Sequence, residues 1–203
     1  MTTVSLPPLV EPAEELTVDE VRRYSRHIII PDVGMVGQKR LKNAKVLCVG
    51  AGGLGSPVLL YLAAAGVGRL GILDDDRVDA SNLQRQIAFA TSSEGRAKAA
   101  AAAERVRQLN PLVDVTAHDL RLDAANAREL VARYDIVADG SDNLGTRLLV
   151  HDTCRDLGRT LVSASVQGLD GQLTTYKSHL GSPHPCLSCL LDQGVADDAL
   201  PSC

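Results

Sequence analysis

Apolar residues along this chain fall into short runs that alternate with stretches of helical spacing. Val46, Leu47, Cys48 and Val49 form a continuous apolar run with β-branched members and a glycine boundary, as expected of a parallel strand buried on both faces. The run passes straight into Gly50-Ala51-Gly52-Gly53-Leu54-Gly55-Ser56 and then into an apolar helical stretch over residues 57–65. Gly66, Gly68 and Gly71 stop that helix and lead into a second strand over residues 69–73, which ends in Asp74-Asp75-Asp76. Strand, glycine turn, helix, strand and acid, in that order, make half a mononucleotide-binding unit.

The alternation continues on both sides of this unit. Thr17, with Glu20 three residues later, marks a capped helix that should run through Arg26 and end near Pro31, and a short amphipathic piece over residues 37–41 precedes the first strand. Residues 81–86 are polar and helix-competent, and Ser92 or Ser93 should cap a long alanine-rich helix over residues 94–109 that stops at Asn110-Pro111. Further strands are predicted over residues 113–117, 134–138, 160–164 and 172–176, with helices over 123–134 and 144–157. Residues 1–16, proline-rich and aperiodic, read as a flexible tail, and residues 178–203 as a loop segment carrying cysteines. The expected fold class is α/β: a Rossmann-like, doubly wound, mostly parallel sheet with helices on both faces, in one domain over residues 17–203.

The physical demands of anion binding explain the glycine turn. A tight turn off a strand needs a residue free to take positive φ, and close backbone approach to phosphate leaves no room for a Cβ. Amides at the helix start then face an anion, with Ser56 placed to cap and Pro57 tolerated in the first turn. Asp74 lies 24 positions after Gly50, where an acid can hold ribose hydroxyls.

Composition narrows the function classes. At 203 residues the chain suits one domain with a proper core, and a net charge of −4 argues against bulk binding to nucleic acid or to an anionic membrane. Gly66 and Arg69 interrupt the longest apolar stretch well short of a membrane span. No basic region followed by an apolar segment opens the chain, so a cytoplasmic location is expected. The five cysteines are an odd number that does not suit a disulfide framework, and Cys48 and Cys154 read as small buried apolar groups.

In such sheets ligands bind off the carboxyl ends of the strands, and three polar sets are delivered there. The first is the glycine turn with Asp74; the second is Asn82, Arg85 and Lys98; the third is Asp142 with Asn143. Arg85 and Lys98 are cations able to neutralise a polyphosphate, and Asp142 suits Mg²⁺, which takes one or two carboxylates plus phosphate oxygens. Taken singly, an exposed Arg or Lys is usually a solvated charge and an Asp after a strand often only caps a helix. Placed together they suit departure of pyrophosphate from a triphosphate, where positioning and charge neutralisation supply most of the catalysis. A carboxylate attacking such a centre is already anionic and needs no general base.

Four motifs stand in a telling order: Arg23-Tyr24-Ser25-Arg26-His27, the glycine turn, Ser81-Asn82-Leu83-Gln84-Arg85-Gln86 and Asp139-Gly140-Ser141-Asp142-Asn143. In this the chain resembles the ThiF/MoeB/HesA family, bacterial relatives of ubiquitin-activating enzymes, and its opening region looks most like that of actinobacterial members. The resemblance implies ATP- and Mg²⁺-dependent adenylylation of the C-terminal glycine of a small ubiquitin-like sulfur-carrier protein (MoaD/ThiS/CysO-type, ending in Gly-Gly). It further implies passage to a thiocarboxylate for molybdopterin, thiamine, thiolated tRNA or cysteine synthesis, with a separate sulfur donor. It assigns nucleotide binding to Gly52, Gly53, Gly55, Asp74, Ser81, Asn82, Leu83, Gln84, Arg85, Lys98, Asp142 and Asn143. It assigns catalysis to Asp142, Arg85, Lys98 and Arg26. On the residues alone Arg26 is a surface charge on an N-terminal helix. In the family the matching arginine reaches into the partner subunit's site, which implies a homodimer.

Relative to the family, the chain reads as C-terminally truncated. Cys186-x-x-Cys189 has metal-ligand spacing, but structural Zn²⁺ wants four ligands, and the family's second cysteine pair falls beyond Cys203. His179 and His184 are the local alternatives for completing a zinc site, and Cys203 matches a position where a cysteine takes part in acyl or sulfur transfer. Two rival readings accompany the adenylyltransferase. One is a truncated, inactive nucleotide- or partner-binding module. The other is an NAD-dependent oxidoreductase, which uses the same glycine turn and Asp74 but leaves Arg85, Lys98 and Asp142 without a role.

Overall fold

The structure is a computed structural model that describes residues 7–190. Three helices open it: α1 (Val18–Arg23), α2 (Ser25–Ile28) and α3 (Gly34–Asn43). Then follow β1 (Lys45–Val49), α4 (Gly55–Ala65), β2 (Arg69–Leu73), α5 (Lys98–Leu109), β3 (Asp114–His118) and α6 (Ala127–Ala132). The remainder is β4 (Ile136–Asp139), α7 (Leu144–Asp156), β5 (Thr160–Gln167), β6 (Asp170–Tyr176) and the short α8 (Leu187–Leu190). The six strands form one sheet in the order β3-β2-β1-β4-β5-β6, parallel except for β6, which pairs antiparallel with β5 from Leu161↔Tyr176 to Gln167↔Asp170. This is the doubly wound, mostly parallel sheet expected from the alternating pattern.

Period-two alternation sorts the apolar runs between the two faces. Val46, Cys48, Leu70 and Ile72 pack on one side with Leu59 and Ala63 of α4 and with Ala99, Ala102 and Val106 of α5. Leu47, Val49, Leu73 and Val137 pack on the other with Leu130 and Val131 of α6 and with Val150 and Cys154 of α7. Cys48 and Cys154 are buried and their thiols are pushed up to about 12 by desolvation, as inert apolar groups require.

Tertiary contacts move several element boundaries. The capping box at Thr17 forms with Glu20, but the helix breaks at Tyr24, where φ is −99° and ψ 14°. Tyr24 turns inward there: its hydroxyl accepts from Asn110 Nδ2 at 2.8 Å, and Asn110 also donates to Ala63 O at 2.7 Å. The alanine-rich helix starts at Lys98 rather than 94; residues Thr91–Ser93 form a separate 3₁₀ turn, and no side chain caps α5. The sixth helix begins at Ala127 because Asp123 and Asn126 are occupied by a turn, with Asp123 Oδ1 accepting from Ala125 and Asn126 amides. Residues 7–16, expected to be a flexible tail, lie along α3 instead. Asn43, Lys39 and Lys42 donate to the carbonyls of Glu11, Glu14 and Glu15, Ala13 N donates to Lys39 O, and Val10 packs on the core. The remaining N-terminal residues, 1–6, lie outside the described residues.

Candidate nucleotide site

β1 sits between β2 and β4 at the point where the strand order reverses, so the turns leaving these three strands are neighbours. Gly50, at φ +84°, opens the glycine turn; its N–H donates to Leu73 O at 2.8 Å, tying the turn to the end of β2. A Cβ on Gly55 would lie 1.9 Å from Gly50 O, so the turn closes only on glycine. The turn also abuts the end of β4, because a Cβ on Gly50 would stand 3.1 Å from Gly140 O. No side chain caps α4; Ser56, expected to do so, is fully buried and donates its Oγ–H to Ala51 O at 2.9 Å. The leading amides of α4 are thereby left without a side-chain acceptor and carry the positive end of the helix dipole.

Asp74 leaves β2 half-buried and braces the turn, accepting from Ala51 N at 2.8 Å and from Asp76 N at 2.9 Å. Burial raises its pKa, opposed by those two amides and by the Lys98 charge. Each carboxylate oxygen keeps a further lone pair for a hydroxyl. Lys98, at the start of α5, is 6% exposed and pairs with Asp76 at 2.8 Å. Asp74, Asp75 and Asp76 bring their carboxylate oxygens within 4.8 Å of one another.

The segment between β2 and α5 folds back over the glycines. Asn82 Oδ1 accepts from Arg85 Nη2 at 3.0 Å and from Gln86 Nε2 at 3.2 Å, which fixes both side chains. A Cβ on Gly53 would meet Arg85 Cδ at 3.5 Å, and one on Gly52 would meet Gln86 Nε2 at 3.5 Å. Gln86 was not among the residues singled out from sequence, although it closes the motif that holds Arg85. It is 4% exposed and its Oε1 has no partner among the described residues. Asp76 was likewise missed as a site residue; only the fold shows that it faces Lys98. Ser81 is occupied by a local turn on Asp79, Leu83 packs on the core, and Gln84 is exposed.

At the end of β4, Asp142 is exposed and its side chain makes no hydrogen bond or ion pair among the described residues, so its carboxylate is open to solvent beside the glycine turn. Asn143 is the N-cap of α7 and accepts from Thr146 N at 2.8 Å. Arg26 is not brought to this site. It lies on α2, two residues from Tyr24, whose ring lies against Gly66 at the far end of α4, and α4 is roughly 16 Å long for its 11 residues.

Cys186 and Cys189 face each other with their sulfurs 2.6 Å apart, and the hydrogen bond between them lowers the Cys189 pKa. Among the described residues no third His, Cys, Asp or Glu joins them as a ligand group, so His179 and His184, the local candidates, do not complete a zinc set. The pair supplies half of a tetrahedral site. Cys203 lies outside the described residues. No helix among those residues is long and apolar enough to cross a membrane.

Comparison with known proteins places this geometry. Residues 24–203 match the ThiF family. The chain is 53% identical over 174 residues to the probable adenylyltransferase/sulfurtransferase MoeZ of Mycobacterium tuberculosis, covering 86% of this chain and 44% of that protein. It is 47% identical over 189 residues to the sulfur carrier protein adenylyltransferase of Thermus thermophilus, covering 92% of this chain and 70% of that one. Among solved structures, Escherichia coli MccB with AMPCPP and MccA superposes with a TM-score of 0.64 at 27% identity, over 70% of this chain and 44% of that one. The chain thus spans less than half the length of MoeZ.

Proposed function

The chain belongs to the ThiF family, and from that premise we propose that it adenylylates the C-terminal glycine of a small ubiquitin-like sulfur-carrier protein at the expense of ATP. The observation that carries the reading is the closure of Arg85 and Gln86 over Gly52 and Gly53, with Lys98 and Asp74 at the same turn. An oxidoreductase site would leave that gathering of cations without a purpose. The relatives named as adenylyltransferases support the reaction, the Thermus thermophilus protein's name supports the carrier substrate, and MccB, whose structure holds AMPCPP, supports a nucleotide in this fold.

In this reading the carrier's terminal carboxylate attacks the α-phosphorus of ATP; an oxygen–phosphorus bond forms, the bond to the β-phosphate oxygen breaks, and pyrophosphate leaves. The attacking group is already an anion, so the protein's work is positioning and charge neutralisation. The amides of the glycine turn and of α4 receive phosphate oxygens, Asp74 takes the ribose hydroxyls, and Arg85 and Lys98 hold the departing charge. Asp142, an exposed carboxylate at the end of β4, fits the ligand chemistry of Mg²⁺, which would add charge neutralisation on the phosphates. Arg26 acts across a homodimer, entering the other subunit's site, since its own lies beyond its reach. A sulfide-level sulfur from a separate donor then attacks the acyl carbon, the bond to the adenylate oxygen breaks, and AMP departs, leaving the carrier as a thiocarboxylate.

The test is ATP–pyrophosphate exchange with Mg²⁺ and a panel of carriers ending in Gly-Gly, run on the chain and on Asp142→Ala. Exchange that requires one carrier and falls at least about 100-fold in the variant establishes the reading. No exchange with any carrier overturns it.

A further inference from the structure

The buried carboxyl group of Asp139 and the half-buried guanidinium of Arg147 meet one residue of the β4–α7 turn, Ser141, at its amide and at its carbonyl. Asp139, 3% exposed at the end of β4, accepts the Ser141 N–H on Oδ1 at 2.9 Å and the Ser163 Oγ–H of β5 on Oδ2 at 3.2 Å. Arg147, one turn into α7, donates to Ser141 O from Nε at 3.2 Å and from Nη2 at 2.9 Å. The same Nη2 donates to Ala164 O of β5 at 2.5 Å. Ser141 is therefore held at its amide by Asp139 and at its carbonyl by Arg147, and both holders are themselves anchored on β5. On the other flank of Asp142, Asn143 is fixed as the cap of α7. The preceding residue, Gly140, donates its N–H to Val49 O at 2.9 Å and abuts the glycine turn.

Ser141 is held on both sides by side chains anchored in the fold, Asp139 buried and Arg147 half-buried. We propose that Arg147 and Asp139 are positioning residues for adenylylation: by pinning Ser141 against β5 they set the direction in which the Asp142 carboxylate leaves the turn. Neither touches the reacting groups. The inference rests on the adenylylation reading above and adds to it the means by which Asp142 is aimed. The strength of the device lies in its geometry. The guanidinium fork spans two carbonyls on different elements, which an ammonium cannot do with one nitrogen at the same angles. Displacing a group by an ångström in such a site can lower a rate about 100-fold without loss of the fold.

The experiment is a cycle of Arg147→Gln, Asp142→Ala and the double variant in ATP–pyrophosphate exchange, with Arg147→Lys beside them and thermal unfolding of each. Arg147→Gln should lower kcat about 100-fold, leave KM for ATP within about threefold and raise the Mg²⁺ concentration needed for half-maximal rate. In the Asp142→Ala background the same change should cost less than about threefold, because its effect passes through Asp142. Arg147→Lys, which keeps the charge and one bond, should fall between wild type and Arg147→Gln; it carries the test if the glutamine variant does not fold. Equal losses in both backgrounds, or a rise in KM with kcat unchanged, would overturn the inference while leaving the function standing. An inactive wild type would overturn the function, and the inference with it.

Discussion

In the proposed reaction, Lys98 serves stability and chemistry at different strengths. Its ammonium is buried, but its partner Asp76 keeps 69% of its side chain exposed, so the pair is open to solvent on the acid's side. Such a half-exposed ion pair contributes about 1 kcal/mol or less. A cation placed to hold departing pyrophosphate contributes far more to the transition state. Lys98→Ala should therefore shift the urea midpoint only slightly and lower pyrophosphate exchange about 100-fold or more. Parallel losses in both measurements would make Lys98 a structural residue. The spacing of Arg85 and Lys98 after β2 was legible in the sequence. That Gln86 would be buried over Gly52 with an unpaired oxygen was not, because its environment is made by residues more than thirty positions away.

The glycine turn divides into glycines that build the element and glycines that leave space above it. Gly55 faces Gly50 O, where an added methyl would stand 1.9 Å from backbone oxygen, and Gly53 faces Arg85 Cδ at 3.5 Å, an ordinary contact with a flexible chain. Gly55→Ala should destabilise the protein by about 3 kcal/mol in urea unfolding. Gly53→Ala should unfold within about 1 kcal/mol of wild type yet lose ATP binding by calorimetry, because its methyl occupies the approach to the turn. The reverse ranking would mean that the turn serves packing alone. Strand and helix positions were readable here because their periodicities are local. Helix starts were less so. Ser92 and Ser93 have good capping chemistry, yet Thr91–Ser93 is spent on a 3₁₀ turn, and Val78 pairs with Arg96 and Gly95 before α5 begins.

For the whole molecule, the most informative feature is the distance between Arg26 and the site of its own chain. Tyr24, Asn110 and Ala63 lock α1 and α2 at the end of α4 opposite the glycine turn. Ile29, Ile30, Met35 and Val36 are exposed on the adjoining residues, which suits an interface between copies. Arg26→Ala and Asp142→Ala should each fall at least about 100-fold in exchange alone, to a low but measurable rate. Mixed in equal amounts under conditions that allow subunit exchange, they should regain about one quarter of wild-type activity per dimer site, since each mixed dimer has one intact site. A mixture that stays at that low rate, or a protein that remains monomeric in sedimentation, would mean that Arg26 does not act across subunits.

The nucleotide-binding unit, the order of strands and helices and the apolar faces of the sheet follow from short-range patterns: β-branched runs, glycine and proline punctuation, and a capping pair at Thr17 and Glu20. Each of these depends on φ and ψ preferences or on periodicity, which a linear chain carries with it. The docking of residues 7–16 on α3, the break at Tyr24, the pairing of Lys98 with Asp76 and the anchoring of Asp139 on Ser163 were settled by contacts across 22 to 86 positions. Those contacts exist only once the elements that carry them are packed together. A polar side chain finds its partner in space, and only the packing of helices and strands decides which residues share that space.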